Sequence, residues 1–144
     1  MTRQVITKAL GLAACLGAAA AVAPAQAADG MVSVELNKLE ATNNACRAYL
    51  VLQNGTSHAF ESLKLDVVMF DADGIVARRL AVEAAPLSTG KTSLKVFDVD
   101  GLACTEVGRV LLNDVLTCTG DGGALDGCID MIEPASRTDA PFVK

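Results

Sequence analysis

From Met31 onward apolar and polar residues alternate in short runs, and a period of two puts successive side chains on opposite faces of an extended strand. Met31 to Leu39 alternates around Val32, Val34 and Leu36. Cys46 to Gln53 sets Cys46, Ala48, Leu50 and Leu52 on one face, with Arg47, Tyr49 and Val51 opposite. Ser62 to Phe70 groups Leu63, Leu65, Val67 and Met69, and Ile75 to Val82 groups Val76, Leu80 and Val82, with Arg78 interrupting that face. Lys91 to Phe97 supplies Leu94 and Val96, Gly108 to Leu116 supplies Val110, Leu112 and Leu116, and Cys128 to Ile132 reads as a short last strand. No long helical pattern competes with these runs. Asn54-Gly55, Asp73-Gly74, Thr89-Gly90 and Asp100-Gly101 offer glycines where a positive φ is cheap, and Pro86 marks a loop. The pattern predicts an all-β fold: a sandwich of immunoglobulin-like type, antiparallel, with about seven strands, over residues 28–133. The tail 134–144, with Pro134 and Pro141, is expected to be flexible.

Residues 1–27 are of another kind. Arg3 and Lys8 form a basic start, Ala9 to Ala23 an apolar centre, and Pro24-Ala25-Gln26-Ala27 a run with small residues where signal peptidase cuts. This is the order of a secretory signal peptide, cleaved after Ala27. The centre falls short of the roughly 20 residues that span a bilayer, and no later stretch is long enough, so no transmembrane segment is expected after cleavage. Leu12-Ala13-Ala14-Cys15 also has the form of a lipoprotein processing site, but the apolar stretch continues past Cys15, where a signal centre should have ended. Arg3 has no arginine beside it, which favours the general secretory route over the twin-arginine route.

The full chain of 144 residues has formal charge −5; without its first 27 residues, which hold two basic and no acidic side chains, 117 residues remain at −7. That balance leaves no phosphate-binding face and excludes nucleic acid as an expected partner. A chain of this size buries roughly two thirds of its surface. With Tyr49, Phe60, Phe70, Phe97 and Phe142 as its aromatics, the core must be mainly aliphatic.

Cleavage removes Cys15 and leaves Cys46, Cys104, Cys118 and Cys128, an even set in an exported chain, which reads as two disulfides. If successive strands alternate in direction, Cys46 at the start of the second strand and Cys104 after the fifth lie at one end. Cys118, ending the sixth, and Cys128, opening the seventh, lie at the other. The expected pairs are therefore Cys46 with Cys104 and Cys118 with Cys128. Pairing Cys104 with Cys118 would ask a strand of about ten residues, roughly 30 Å long, to close to the 5 to 7 Å of bridged Cα atoms.

Candidate chemistry is sparse. The cysteines have no C-x-x-C spacing for zinc, and His58, the one histidine, cannot make a blue-copper site. Phe70-Asp71-Ala72-Asp73-Gly74 and Phe97-Asp98-Val99-Asp100-Gly101 share the form F-D-x-D-G, so Asp71, Asp73, Asp98 and Asp100 are weak Ca²⁺ candidates. Asp before Gly is also ordinary turn chemistry, and the remaining ligands of a calcium loop are missing. Asp121 and Asp126 lie in a Gly-rich loop without lysine, which would repel phosphate. Ser57 beside His58 suggests a hydrolase, yet G-x-S-x-G is absent and catalytic residues are expected to be none. Asn54-Gly55-Thr56 matches a glycosylation acceptor, for which a tight turn is the simpler reading. Arg78 and Arg79 are expected to pair with Asp66 or Glu83, with a partner-binding spot as the lesser alternative.

Leu63-Lys64-Leu65-Asp66 through Gly74, with Pro86-Leu87, Gly90-Lys91-Thr92 and Phe97-Asp98, resembles the FxLYD-like immunoglobulin-type domains of bacterial envelope proteins. Cys104-Thr105-Glu106-Val107-Gly108-Arg109-Val110-Leu111-Leu112-Asn113-Asp114-Val115 is similar to a family of small Gram-negative exported proteins labelled by a Tat-type signal sequence, although this chain lacks the twin arginine. The resemblance implies a periplasmic sandwich and carries over no catalytic residue and no cofactor. The expected function is non-enzymatic: a periplasmic module that binds another envelope protein through a strand edge or loop end. The alternatives are a Ca²⁺- or carbohydrate-binding module on the acidic turns, and a small hydrolase at Ser57 and His58.

Overall fold

The structure, a computed structural model, describes residues 30–144. The expected signal segment 1–27 and Cys15 lie outside the described residues. Among the described residues nine strands form in chain order: β1 (Val32–Ala41), β2 (Ala45–Asn54), β3 (Phe60–Phe70), β4 (Val76–Glu83), β5 (Thr92–Asp100), β6 (Arg109–Gly120), β7 (Gly123–Ala124), β8 (Ile132–Ser136) and β9 (Phe142–Val143), with a 3-10 turn at Cys104–Glu106. They build an all-β sandwich. The first sheet runs β5-β2-β1-β8; the second runs β4-β3-β6-β7, with β9 also against β6.

Alternation shapes each layer. In β2 every second residue is buried, so Cys46, Ala48, Leu50 and Leu52 face the second sheet, where Leu63, Leu65, Val67 and Met69 of β3 meet them. Leu36, Leu87, Leu112 and Ile132 are likewise fully buried, giving the aliphatic core that scarce aromatics require. Cys46–Cys104 and Cys118–Cys128 are the two disulfides, with Cα separations of 4.8 and 6.5 Å, as the strand directions required.

The structure departs from several expectations. Leu94 and Val96 were expected in the core, but they are 57% and 46% exposed. Pairing sets Val99 against Cys46 and Phe97 against Ala48, so the odd-numbered residues of β5 follow β2 inward and the even-numbered ones face out. Leu116 is also exposed, because the register passes from Lys64–Thr117 to Leu65–Val115 and the bulge turns Leu116 away from the core. Val76 is exposed at the start of β4. Gly74, Gly90 and Gly101 adopt positive φ as expected, whereas Gly55 does not: Gly55 to Ala59 cross from one sheet to the other and make no tight hairpin turn.

The chain's end is the largest correction. Residues 128–131 form turns, and the strand starts at Ile132, pairing in parallel with β1. The expected flexible tail 134–144 is instead part of the sandwich. The Arg137 N–H donates to the Leu36 carbonyl, the Val110 N–H donates to the Pro141 carbonyl, and β9 buries Phe142 in parallel pairing with β6. The domain therefore extends beyond residue 133. Pro134 fits because β8 is an edge strand, where a missing N–H on the outer side costs no ladder bond. The two parallel pairs, β1–β8 and β6–β9, both come from this segment and add to an otherwise antiparallel sandwich.

Candidate functional site

The two F-D-x-D-G segments adopt different structures. In the first, Asp71 Oδ1 accepts from the N–H groups of Asp73 and Ile75 at 3.0 and 2.8 Å, closing the β3–β4 turn on itself. In the second, Asp98 lies within β5 and receives a bidentate pair from Arg47 on β2, at 2.7 and 2.9 Å, while Asp100 ends the strand. Arg47 is the main cause that holds the Asp98 carboxyl below its ordinary range. Asp121 and Asp126 flank the β7 turn, where Gly122, Gly123 and Gly127 take positive φ. Among the described residues no three His, Cys, Asp or Glu side chains gather in a group suited to a metal ion.

Ser57 and His58 are exposed on the sheet-crossing loop, and His58 is held by its backbone: its carbonyl accepts from Asn54 and Thr56, and its N–H donates to Thr56 Oγ1. Asn54 is fully buried. Its amide donates to the carbonyls of His58 and Leu87 and accepts from the N–H and hydroxyl of Thr56. The acceptor triplet Asn54-Gly55-Thr56 thus forms a staple between the crossing loop and the Leu87 loop, with no side-chain nitrogen offered to solvent.

Arg79 pairs with Asp66 as expected, through bonds of 2.8 and 2.7 Å, and Asn113 adds a third at 2.7 Å. Arg79 is the principal cause that lowers the Asp66 carboxyl; burial opposes it and Asn113 assists. Arg78 takes neither expected partner. It donates to the carbonyls of Ala77, Asp100 and Gly101, joining the start of β4 to the end of β5 across the sandwich. Glu83 receives the N–H groups of Leu63 and Ala85 and the Ser62 hydroxyl; burial works to raise its carboxyl, and these bonds together hold it low.

The outer face of the first sheet carries cross-strand polar pairs. Tyr49 donates to Glu40 at 2.6 Å, Lys38 pairs with Glu40 and lies over the Tyr49 ring, and Arg137 pairs with Glu35. Next to this face β5 is an edge strand, paired with β2 on one side alone. Leu94 and Val96 project from it. On its other side a cavity of about 310 Å³ opens between β5 and β4, walled by Leu80, Val82, Val96 and Phe97. Lys95 points inward and donates to the Ala85 carbonyl at 2.8 Å, spanning this gap. An inward-pointing charge is a known guard against indiscriminate edge pairing. Sequence reasoning missed this feature because it placed Leu94 and Val96 in the core; Lys95 and the acidic Asp98 beside them were the available signal.

No protein-family model matches the sequence, and no curated protein matches it. The fold is similar to the solved structure of IrmA from Escherichia coli, with a TM-score of 0.55 and 14% identity, covering 72% of this chain and 90% of that one. At that identity the likeness is one of fold. The two disulfides fit an exported chain, and among the described residues no helix is long and apolar enough to cross a membrane.

Proposed function

We propose that this protein is a periplasmic, non-enzymatic module that binds another envelope protein along the β5 edge. The observation that carries this reading is the exposure of Leu94 and Val96 on an edge strand beside the gap between β4 and β5. A partner strand added there gains main-chain bonds from the open side of β5 and side-chain contacts at every second position. The partner replaces water over two aliphatic side chains, a term of roughly 25 cal/mol per Å² of apolar surface. Lys95 limits pairing to partners that tolerate its ammonium in the gap. Two disulfides, the basic and apolar start of the sequence, and its resemblance to small exported Gram-negative proteins support the location.

The test is a photo-crosslinking residue at position 96 of the full chain, expressed in a Gram-negative host and recovered from fractionated cells. The expected result is one specific envelope protein joined in the periplasmic fraction, and loss of that product on Leu94→Asp. A cytoplasmic location, or crosslinks that Leu94→Asp leaves unchanged, overturns the reading.

A further inference from the structure

A second surface lies on the outer face of the other sheet. Arg109 of β6 stands opposite Phe70 of β3 in the strand register, and its guanidinium lies over the Phe70 ring, 4.5 Å from the centroid. Val76 faces Phe70 from β4 and is 57% exposed. In the adjoining row Val143 of β9 is paired with Leu111, which in turn is paired with Val68; Val143 is 38% exposed. Three strands, β4, β6 and β9, thus present aliphatic side chains on both sides of a stacked arginine, while Val68 of β3 is buried beneath them beside Arg79.

What marks the Arg109 side chain is its lack of a hydrogen-bonding partner among the described residues. Arg47, Arg79 and Arg137 each close on a carboxylate, and Arg78 donates to three carbonyls. Among the described residues the Arg109 side chain makes no hydrogen bond, in a chain with 17 acidic residues against 12 basic ones. Carboxylates are plentiful, yet this guanidinium lies on an aromatic ring with its N–H groups left to water. A guanidinium offers five donors in a planar fork that matches a carboxylate bidentately. Stacking on Phe70 restricts the side chain beforehand, so less rotamer entropy remains to be lost when a ligand binds.

We propose that this face docks an extended segment of a partner protein that sets a Glu or Asp carboxylate on Arg109 and apolar side chains on Val76 and on Leu111 with Val143. The charge of the guanidinium selects the carboxylate. The aliphatic flanks select a polypeptide over a small carboxylate ion, because an ion pair left exposed contributes only about 0 to 1 kcal/mol, whereas docked flanks exclude water from it and strengthen it. An arginine and an aromatic ring at the centre of an apolar surround are also the residue types that dominate protein–protein contacts.

The test is an NMR titration of the ¹⁵N-labelled protein, following the Arg109 Nε–Hε resonance. The probes are the capped peptide acetyl-Val-Thr-Glu-Thr-Val-amide, its Gln counterpart, and sodium acetate. The expected result is a saturable shift with the Glu peptide, binding at least ten-fold weaker with the Gln peptide, and no saturation with acetate. Arg109→Gln and Phe70→Leu, each with an otherwise native spectrum, are expected to weaken the Glu peptide at least ten-fold, and Val143→Thr several-fold. Equal affinity for the Gln peptide, a matching response to acetate, or no shift with the Glu peptide overturns the proposal. So does full affinity in Phe70→Leu, which would remove the stacked ring from the mechanism.

Discussion

Burying an amide costs several kcal/mol unless both of its ends are hydrogen bonded, and Asn54 meets that condition through His58, Leu87 and Thr56. Asn54→Ala leaves the Thr56 N–H without a partner and takes one bond each from the His58 and Leu87 carbonyls and the Thr56 hydroxyl. It is expected to lose about 1 to 3 kcal/mol of stability in urea unfolding, while Asn54→Asp should do no better because a carboxylate cannot donate to those carbonyls. Asp66 is a different case, since its charge is buried and met by Arg79 and Asn113. Its folded pKa lies below the unfolded value of about 4, so between the two values the unfolded chain holds more protons and stability rises with pH. The contribution is complete above about pH 4 and is lost as pH falls through the folded value. Unfolding midpoints measured from pH 6 to pH 2 should therefore fall less steeply for Asp66→Asn than for the wild type, from a lower start. The Asp66 to Arg79 pairing was legible because a β3–β4 hairpin brings both residues to one outer face. The partners of Arg78 were not, since the Asp100 and Gly101 carbonyls reach it across the sandwich.

At the scale of elements, β5 and β9 show where a period of two is insufficient. A run such as Thr92 to Asp100 has apolar residues of both parities, Leu94 and Val96 in one set and Phe97 and Val99 in the other, and nothing local ranks them. The neighbour decides: β2 lays Cys46 and Ala48 opposite Val99 and Phe97. Leu94→Thr and Val96→Thr should accordingly shift stability by no more than about 0.5 kcal/mol, as surface changes that keep β-propensity do. At the other end, two residues of β9 bury Phe142 against a core that the sequence pattern does not connect to it. Phe142→Ala is expected to cost about 3 to 5 kcal/mol by chemical denaturation, a loss that a flexible tail would not produce. Pro134 and Pro141 suggested disorder because proline interrupts strands. Here one lies on an edge strand, and the carbonyl of the other accepts the Val110 N–H.

For the whole molecule, the disulfides link what the sheets alone leave separate. Cys46–Cys104 closes a sequence separation of 58 and ties β2 to the segment after β5; Cys118–Cys128 closes 10 and ties β6 to the approach to β8, in the opposite sheet. On the loop-entropy account the first contributes about 4 kcal/mol and the second about 3, against a net stability of about 5 to 15 for a domain. Cys46→Ala with Cys104→Ala should lower the melting temperature more than the double replacement at Cys118 and Cys128, and dithiothreitol should reduce the wild type to below either. Strand character, aliphatic core and cystine pairing were all available from the residues, because alternation, composition and strand direction are local or follow from counting. The outward face of β5, the docking of residues 134–144, the buried role of Asn54 and the isolation of Arg109 on Phe70 were not. Each depends on which strand lies beside which, and that is settled by long-range pairing and by the competition of many side chains for one core.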